Sequence, residues 1–291
     1  VSVAHDKEID EVSGTTMTGH EWDGIKELDT PLPRWWLWTF YACIAWAVLY
    51  WIAMPAIPLA HGYTKGVLGY SQRQTVENQL KAAQAQRAVY SEKIMDTPLD
   101  QIEKNPELLE FAMASAKATF GDNCATCHGS GAQGGLGYPN LNDDDWLWGG
   151  TLKDIHTTLL YGIRSQNEQT RFSQMPRFLH DGLLNRDQVD DLANYVLSLS
   201  GRDHDAAAAK RAAPLFQEQC SACHGTDAKG RREEGAPNLT DGIWLHGGSY
   251  SQIVSSISNM HEGIMPAWVA RLDPATLRSM AVYIHSLGGG E

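Results

Sequence analysis

The first 34 positions are mostly polar, and then the pattern breaks. Residues 35 to 54 read WWLWTFYACIAWAVLYWIAM, twenty positions without a charge. At about 1.5 Å of rise per residue a helix over this stretch spans about 30 Å, the thickness of one hydrocarbon core. Trp35, Trp36 and Trp38 mark one end and Tyr50 and Trp51 the other, as aromatic belts do at lipid headgroups, and Pro55 and Pro58 stop the helix. A cleaved leader would not follow 34 polar, acidic residues, so the stretch predicts a membrane helix over 35–58, with 1–34 on one side of the lipid. Cys43 lies mid-span and reads as a small apolar packing residue. Lys26 and Arg34 flank one end and Lys65 and Arg73 the other, so the basic count leaves orientation open.

Beyond the anchor, residues 71–95 are polar and rich in helix formers. They predict a helical spacer within 59–105, or else a docking surface for a partner. From there the chain is written twice. The first copy runs through Phe120, CATCHG, PNL, WLWGGT, QMPRF and NRDQVDDLANYVLSLSG; the second through Phe216, CSACHG, PNL, WLHGGS, IMPAW and DPATLRSMAVYIHSLGG. Each Phe stands four residues before its first Cys, and each Pro-Asn-Leu begins seven before its Trp. Helical periodicity at both ends of each copy, glycine-rich loops between and little alternation predict an all-α architecture. The polar break at SGRDHD divides it into tandem domains, 106–201 and 202–291.

Composition narrows the chemistry. The 291-residue chain is 43% hydrophobic and carries a formal charge of −12, which disfavours nucleic acid and suits a cationic protein partner. Its five cysteines are two CxxC pairs and Cys43, not a disulfide framework. Zinc needs about four ligands at one centre, and each copy offers two thiols and one histidine. A thioredoxin-like dithiol needs a βαβ setting that the pattern lacks. Covalent c-type haem uses the whole cluster: Cys124, Cys127 and His128 project to one side of a helical turn, and Cys220, Cys223 and His224 repeat the arrangement. Met175 and Met265, each followed by Pro, are the candidate sixth iron ligands; thioether sulfur raises the potential and holds iron six-coordinate for electron transfer. His156, His246 and His261 are alternatives for a bis-histidine site. Haem c is attached outside the cytoplasm, so both domains are expected in the periplasm and residues 1–34 in the cytoplasm.

Each copy resembles a class I cytochrome c domain, from Pro106 to the C-terminus. The resemblance implies two covalently bound haems c. It also implies that the carbonyls of Pro139 and Pro237 accept the ring N–H of the ligating histidines, and that Phe120 with Tyr195 and Phe216 with Tyr283 form the helix-crossing contacts. The segment GHEWDGIKELDTPLPRWWLWTFY, followed by one span, is similar to the dihaem P subunit family of cbb3-type cytochrome c oxidases. That likeness implies a bacterial inner-membrane electron-transfer subunit with no catalytic residues of its own. Its expected partners are a catalytic haem-copper subunit, a monohaem cytochrome c subunit, a donor cytochrome c and membrane lipid. A free-standing tethered dihaem carrier and a dihaem peroxidase are the rival readings. The loop between Gly-Gly and Met is eight residues longer in the first copy, which leaves its conformation open. Residues 106–201 carry six basic and twelve acidic residues and 202–291 eight and ten, so electrostatics alone favours the first domain for a basic donor.

Overall fold

The computed structural model describes residues 8–290. It divides into two units, meeting between Ala83 and Gln84, and each is described by itself.

In the first unit, β1 (Met17–Trp22) pairs antiparallel with β2 (Ile25–Leu28), Trp22 opposite Ile25. The two-residue connection is Asp23-Gly24, both at positive φ (49° and 82°), the geometry of a type I′ hairpin turn. This hairpin was not expected from the sequence pattern, although Asp-Gly between apolar positions is its usual signal. Then comes α1 (Arg34–Ala53), twenty residues, none of them buried against the protein. It stops at Met54, and a two-residue ladder, β3 (Pro58–Leu59) with β4 (Gly62–Tyr63), follows. Helix α2 (Gln72–Asp96) starts in this unit.

The second unit is helical. It holds the end of α2, α3 (Leu99–Ile102), α4 (Pro106–Asn123), α5 (Ala125–His128), α6 (Leu152–Tyr161), α7 (Arg186–Leu199), α8 (Ala206–Gln219), α9 (Ser221–His224), α10 (Tyr250–Asn259) and α11 (Pro274–His285). Side chains define the starts. Asn105 accepts from the backbone of Glu107 and Leu108 ahead of Pro106, Asp205 caps α8, and Asn185 with Gln188 and Ser249 with Gln252 form reciprocal capping boxes on α7 and α10.

The core is where the structure departs from the tandem picture. One lobe packs Ala116 and Phe120 of α4 and Ile155 and Leu159 of α6 against Leu277, Met280, Ala281, Tyr283 and Ile284 of α11. The other packs Val189, Leu192, Ala193 and Val196 of α7 against Ala212 and Phe216 of α8 and Ile253 and Ile257 of α10. Each lobe therefore takes its first helices from one copy and its last helix from the other. The aromatic contacts follow: Phe120 meets Tyr283 (centroids 5.6 Å apart) and Phe216 meets Tyr195 (5.0 Å), which corrects the expected pairs within each copy. Backbone bonds repeat the exchange, Trp268 N–H donating to Leu159 O (3.0 Å) and Phe178 N–H to the equivalent Ile257 O (3.2 Å).

Connection length explains it. Only residues 200–205 separate α7 from α8, and a short helix–helix connection makes its two helices neighbours. Its closure is tied by Arg202 N–H to Leu197 O (3.0 Å) and Asp205 N–H to Asn194 Oδ1 (2.8 Å). The stretch from α6 to α7 covers residues 162–185, long enough to carry α7 across to the second copy.

The end of the spacer helix is fixed to the first lobe. Ile94, Ile102, Leu108, Ala112, Ala275 and Val282 form a third buried cluster. Arg278 donates to Ile94 O (2.9 Å) and Thr97 O, and His285 Nδ1 lies 2.7 Å from Glu103 Oε1.

Candidate functional site

Both CxxCH motifs sit at the same structural place. Helix α4 ends on Cys124, whose carbonyl accepts from Cys127 N–H (3.1 Å) and His128 N–H (2.9 Å); Cys220 at the end of α8 does the same for Cys223 (3.2 Å) and His224 (2.9 Å). These bonds make the single turns α5 and α9, and at the second turn Cys220, Cys223 and His224 line one cavity. Gly129 and Gly225 end the turns at φ 81° and 79°, where a β-carbon would be strained. The loops then fold back alike. Leu141 N–H donates to Ala132 O and Leu239 N–H to Ala228 O, each at 2.8 Å, and both alanines hold positive φ (60° and 58°).

The return brings a proline carbonyl to each histidine. His128 Nδ1 lies 3.1 Å from Pro139 O, and His224 Nδ1 lies 3.1 Å from Pro237 O. A carbonyl only accepts, so Nδ1 carries the proton and Nε2 keeps a free lone pair, the form that binds iron. Burial pushes both histidines below the ordinary imidazole range, against the opposing effect of the proline bond, and so favours the neutral ligand. Burial, with the neighbouring thiol adding, lifts Cys124 and Cys220 to about 11. No disulfide joins the cysteines; Cys43 is exposed on α1.

The two methionines occupy crossed places. A cavity of about 240 Å³ is lined by Cys220, Cys223, His224 and Pro237 together with Met175 of the other copy. Met265 packs in the lobe of Phe120, Cys124 and Leu141, and it exchanges two backbone hydrogen bonds with Ile163 (3.0 Å each). Of the candidate histidines, His246 and His261 stack on each other (4.5 Å between centroids) and line the second copy's cavity, while His156 lies on α6. The cavity also contains an orphan: Trp244 Nε1 is buried with no partner, whereas the equivalent Trp146 donates to Gly289 O. Thiols on one turn, a bare imidazole nitrogen, a facing thioether and an unmatched buried N–H together fit a haem with an acidic edge. Sequence reasoning missed the crossing, although the short 200–205 connection signalled it. It also missed Arg164, which lines the same cavity.

Comparison with known proteins accounts for the whole length. Residues 14–61 match the N-terminal domain of cytochrome oxidase-cbb3, FixP; residues 113–200 match cytochrome c; residues 207–284 match cytochrome c oxidase, cbb3-type, subunit III. The chain is 51% identical over 289 residues to the cbb3-type cytochrome c oxidase subunit FixP of Azorhizobium caulinodans, covering 99% of this chain and 98% of that one. The chain belongs to the FixP/CcoP family of cbb3-type cytochrome c oxidase subunits. Similarity extends to FixP of a Bradyrhizobium species (53%, covering 99% and 100%) and CcoP of Cereibacter sphaeroides (50%, covering 94% and 95%). As a FixP/CcoP subunit it carries two cytochrome c domains with two covalently bound haems c and serves electron transport in an oxidoreductase complex. Helix α1 is its candidate membrane helix.

Proposed function

We propose that this subunit relays electrons from a donor cytochrome c, through its two haems, to the monohaem and catalytic haem-copper subunits, and that each iron is held by both sequence copies. Cys124 and Cys127 would attach the first haem, with His128 and Met265 holding its iron; Cys220 and Cys223 would attach the second, with His224 and Met175 holding its iron. Haem supplies one-electron redox chemistry at iron. The chain's part is to fix the ligands so that they need not move when the charge on iron changes. Pro139 and Pro237 orient the imidazoles through Nδ1–H, and the packed lobes exclude water. Both lobes lie on the periplasmic side, α1 spans the membrane, and residues 1–34 are cytoplasmic. The subunit itself has no catalytic residue.

The observation that carries the ligand pairing is the cavity that joins Met175 to His224, Cys220 and Cys223. The test uses the membrane-extracted oxidase. With Cys220→Ser and Cys223→Ser only the first haem remains; there Met265→Leu removes the near-infrared sulfur-to-iron absorption and Met175→Leu leaves it. With Cys124→Ser and Cys127→Ser the two methionines exchange roles. The opposite outcome in either background overturns the pairing. Recovery of the chain with haem c but without a haem-copper subunit would overturn the relay.

A further inference from the structure

We infer that Arg164, His246 and His261 form a binding site for the carboxylates of the second haem, and that this site raises that haem's potential relative to the first. The inference rests on reading the cavity at Cys220 and Cys223 as a haem site. All three side chains line that cavity. Thioether attachment anchors the vinyl-bearing side of the macrocycle at the cysteines, and the propionates leave from the opposite pyrroles. They must therefore meet walls other than Cys220 and Cys223. Those walls hold a guanidinium, two imidazoles and the unpartnered Trp244 N–H, with one carboxylate, Glu234, which accepts from Ser173 Oγ (3.3 Å). A buried donor without a partner is destabilising, and a carboxylate would satisfy it.

Arg164 is built into its place. Its φ is 49°, a left-handed backbone that strains a non-glycine residue, and Arg164 N–H donates to Arg171 O (2.8 Å). Its side chain bridges the two crossing strands of chain, Nε donating to Gly263 O (2.7 Å) and a terminal nitrogen to Ser173 O (3.0 Å). These bonds fix the guanidinium on backbone carbonyls, and the charge that acts on it from within the chain is Glu262. Beside it the stacked rings of His246 and His261 offer further N–H donors. His246 also lies against Gly137, whose N–H donates to Leu245 O (2.7 Å), two residues before Pro139. The cluster therefore lines the second copy's cavity, and its His246 touches the first copy at Gly137.

The first copy lacks the same chemistry. Counting from the Pro-Asn-Leu motif, the positions equivalent to Arg164, His246 and His261 across the exchange are Glu262, Trp148 and Ile163: an acid, an indole and an alkyl chain. A cation near iron disfavours the ferric state, so the asymmetry should separate the two potentials.

The test is Arg164→Gln in the intact oxidase complex, read by haem content and by optical redox titration of both haems c. The expected result is full haem content, with the ferrous-to-ferric ratio of the second haem at fixed potential falling on the order of tenfold and the first unchanged. Arg164→Lys recovers most of the shift, which a purely structural role would not require. His246→Trp, which installs the first copy's residue, shifts the same haem in the same direction and gives a second readout if Arg164→Gln assembles poorly. Unchanged potentials, or equal shifts in both haems, would overturn the inference. Absence of haem on Cys220 and Cys223 in the unmodified chain would overturn the haem-site reading instead.

Discussion

The two lobes are nearly the same object built from opposite ends of the chain. In one, α4 and α6 of the first copy close on α11 of the second; in the other, α8 and α10 of the second close on α7 of the first. Equivalent side chains do equivalent work: Val189, Leu192, Tyr195 and Val196 stand in one lobe where Leu277, Met280, Tyr283 and Ile284 stand in the other. The differences lie at the seam. Trp148 packs on Gly235, while the equivalent His246 packs on Gly137. The exchange also redistributes charge. Residues 106–161 with 265–290 carry four basic and eight acidic residues, net −4, and 172–259 carry eight and eleven, net −3. The −6 against −2 of the sequence halves, which singled out the first domain for a basic donor, is nearly erased.

The comparison can be broken most directly by cutting it. A chain ending at Gly201 keeps the first CxxCH but loses Met265 and every α11 contact, more than a marginally stable lobe can lose. We expect no cooperative thermal unfolding transition from its first lobe, measured by calorimetry. Two independently folding tandem domains would retain one.

Single core truncations sharpen the point. Met280 is fully buried, and Met280→Ala should cost about 2–5 kcal/mol. In native-state hydrogen exchange the loss of protection should appear in α4, in the opposite sequence copy, before it appears in α8. Leu192→Ala should do the reverse.

A smaller effect isolates the aromatic contacts. A double-mutant cycle on Phe120 and Tyr283, each changed to Ala, should return a coupling of about 0.5–1.5 kcal/mol, and a cycle on Phe120 and Tyr195 a value near zero. Chemical denaturation measures both.

The smallest effect comes from Asp145. Burial first, then Asp241 of the other copy and Asp143, lift its carboxyl to about 6 from 3.8. Between about pH 4 and pH 6 the folded state then holds more protons than the unfolded one, so stability falls as pH rises through that window. Asp145→Asn should add stability above pH 6 and nothing below pH 4. The group is partly exposed and screened by solvent, so the gain should be no more than about 1 kcal/mol, read as midpoint shifts at pH 4 and pH 8.

Much of the site was written locally. Cys124, Cys127 and His128 need only one helical turn to converge, and Gly129 is needed at the positive φ that follows, so a six-residue string predicts its own geometry. The uncharged run at 35–54, which forms all of α1 but its first residue, likewise requires nothing outside itself. The Asp23-Gly24 hairpin was equally local, yet it is only a few residues long beside a dominant apolar run.

Which methionine faces which histidine was a different kind of question. Helix periodicity places Leu192 and Met280, or Tyr195 and Tyr283, on the buried faces of their helices whichever partner they meet, because the two copies carry the same pattern. Both the tandem and the exchanged arrangement bury these residues. The sequence by itself therefore determined the anchor and the attachment turns, set by spacing within a few residues, and the duplication and candidate ligands, set by motifs that recur in both copies. Only the tertiary structure decided that the lobes exchange their last helices, because that choice depends on how far a connection can reach: too short at 200–205 to separate α7 from α8, and long enough at 162–185 to bring Met175 to His224.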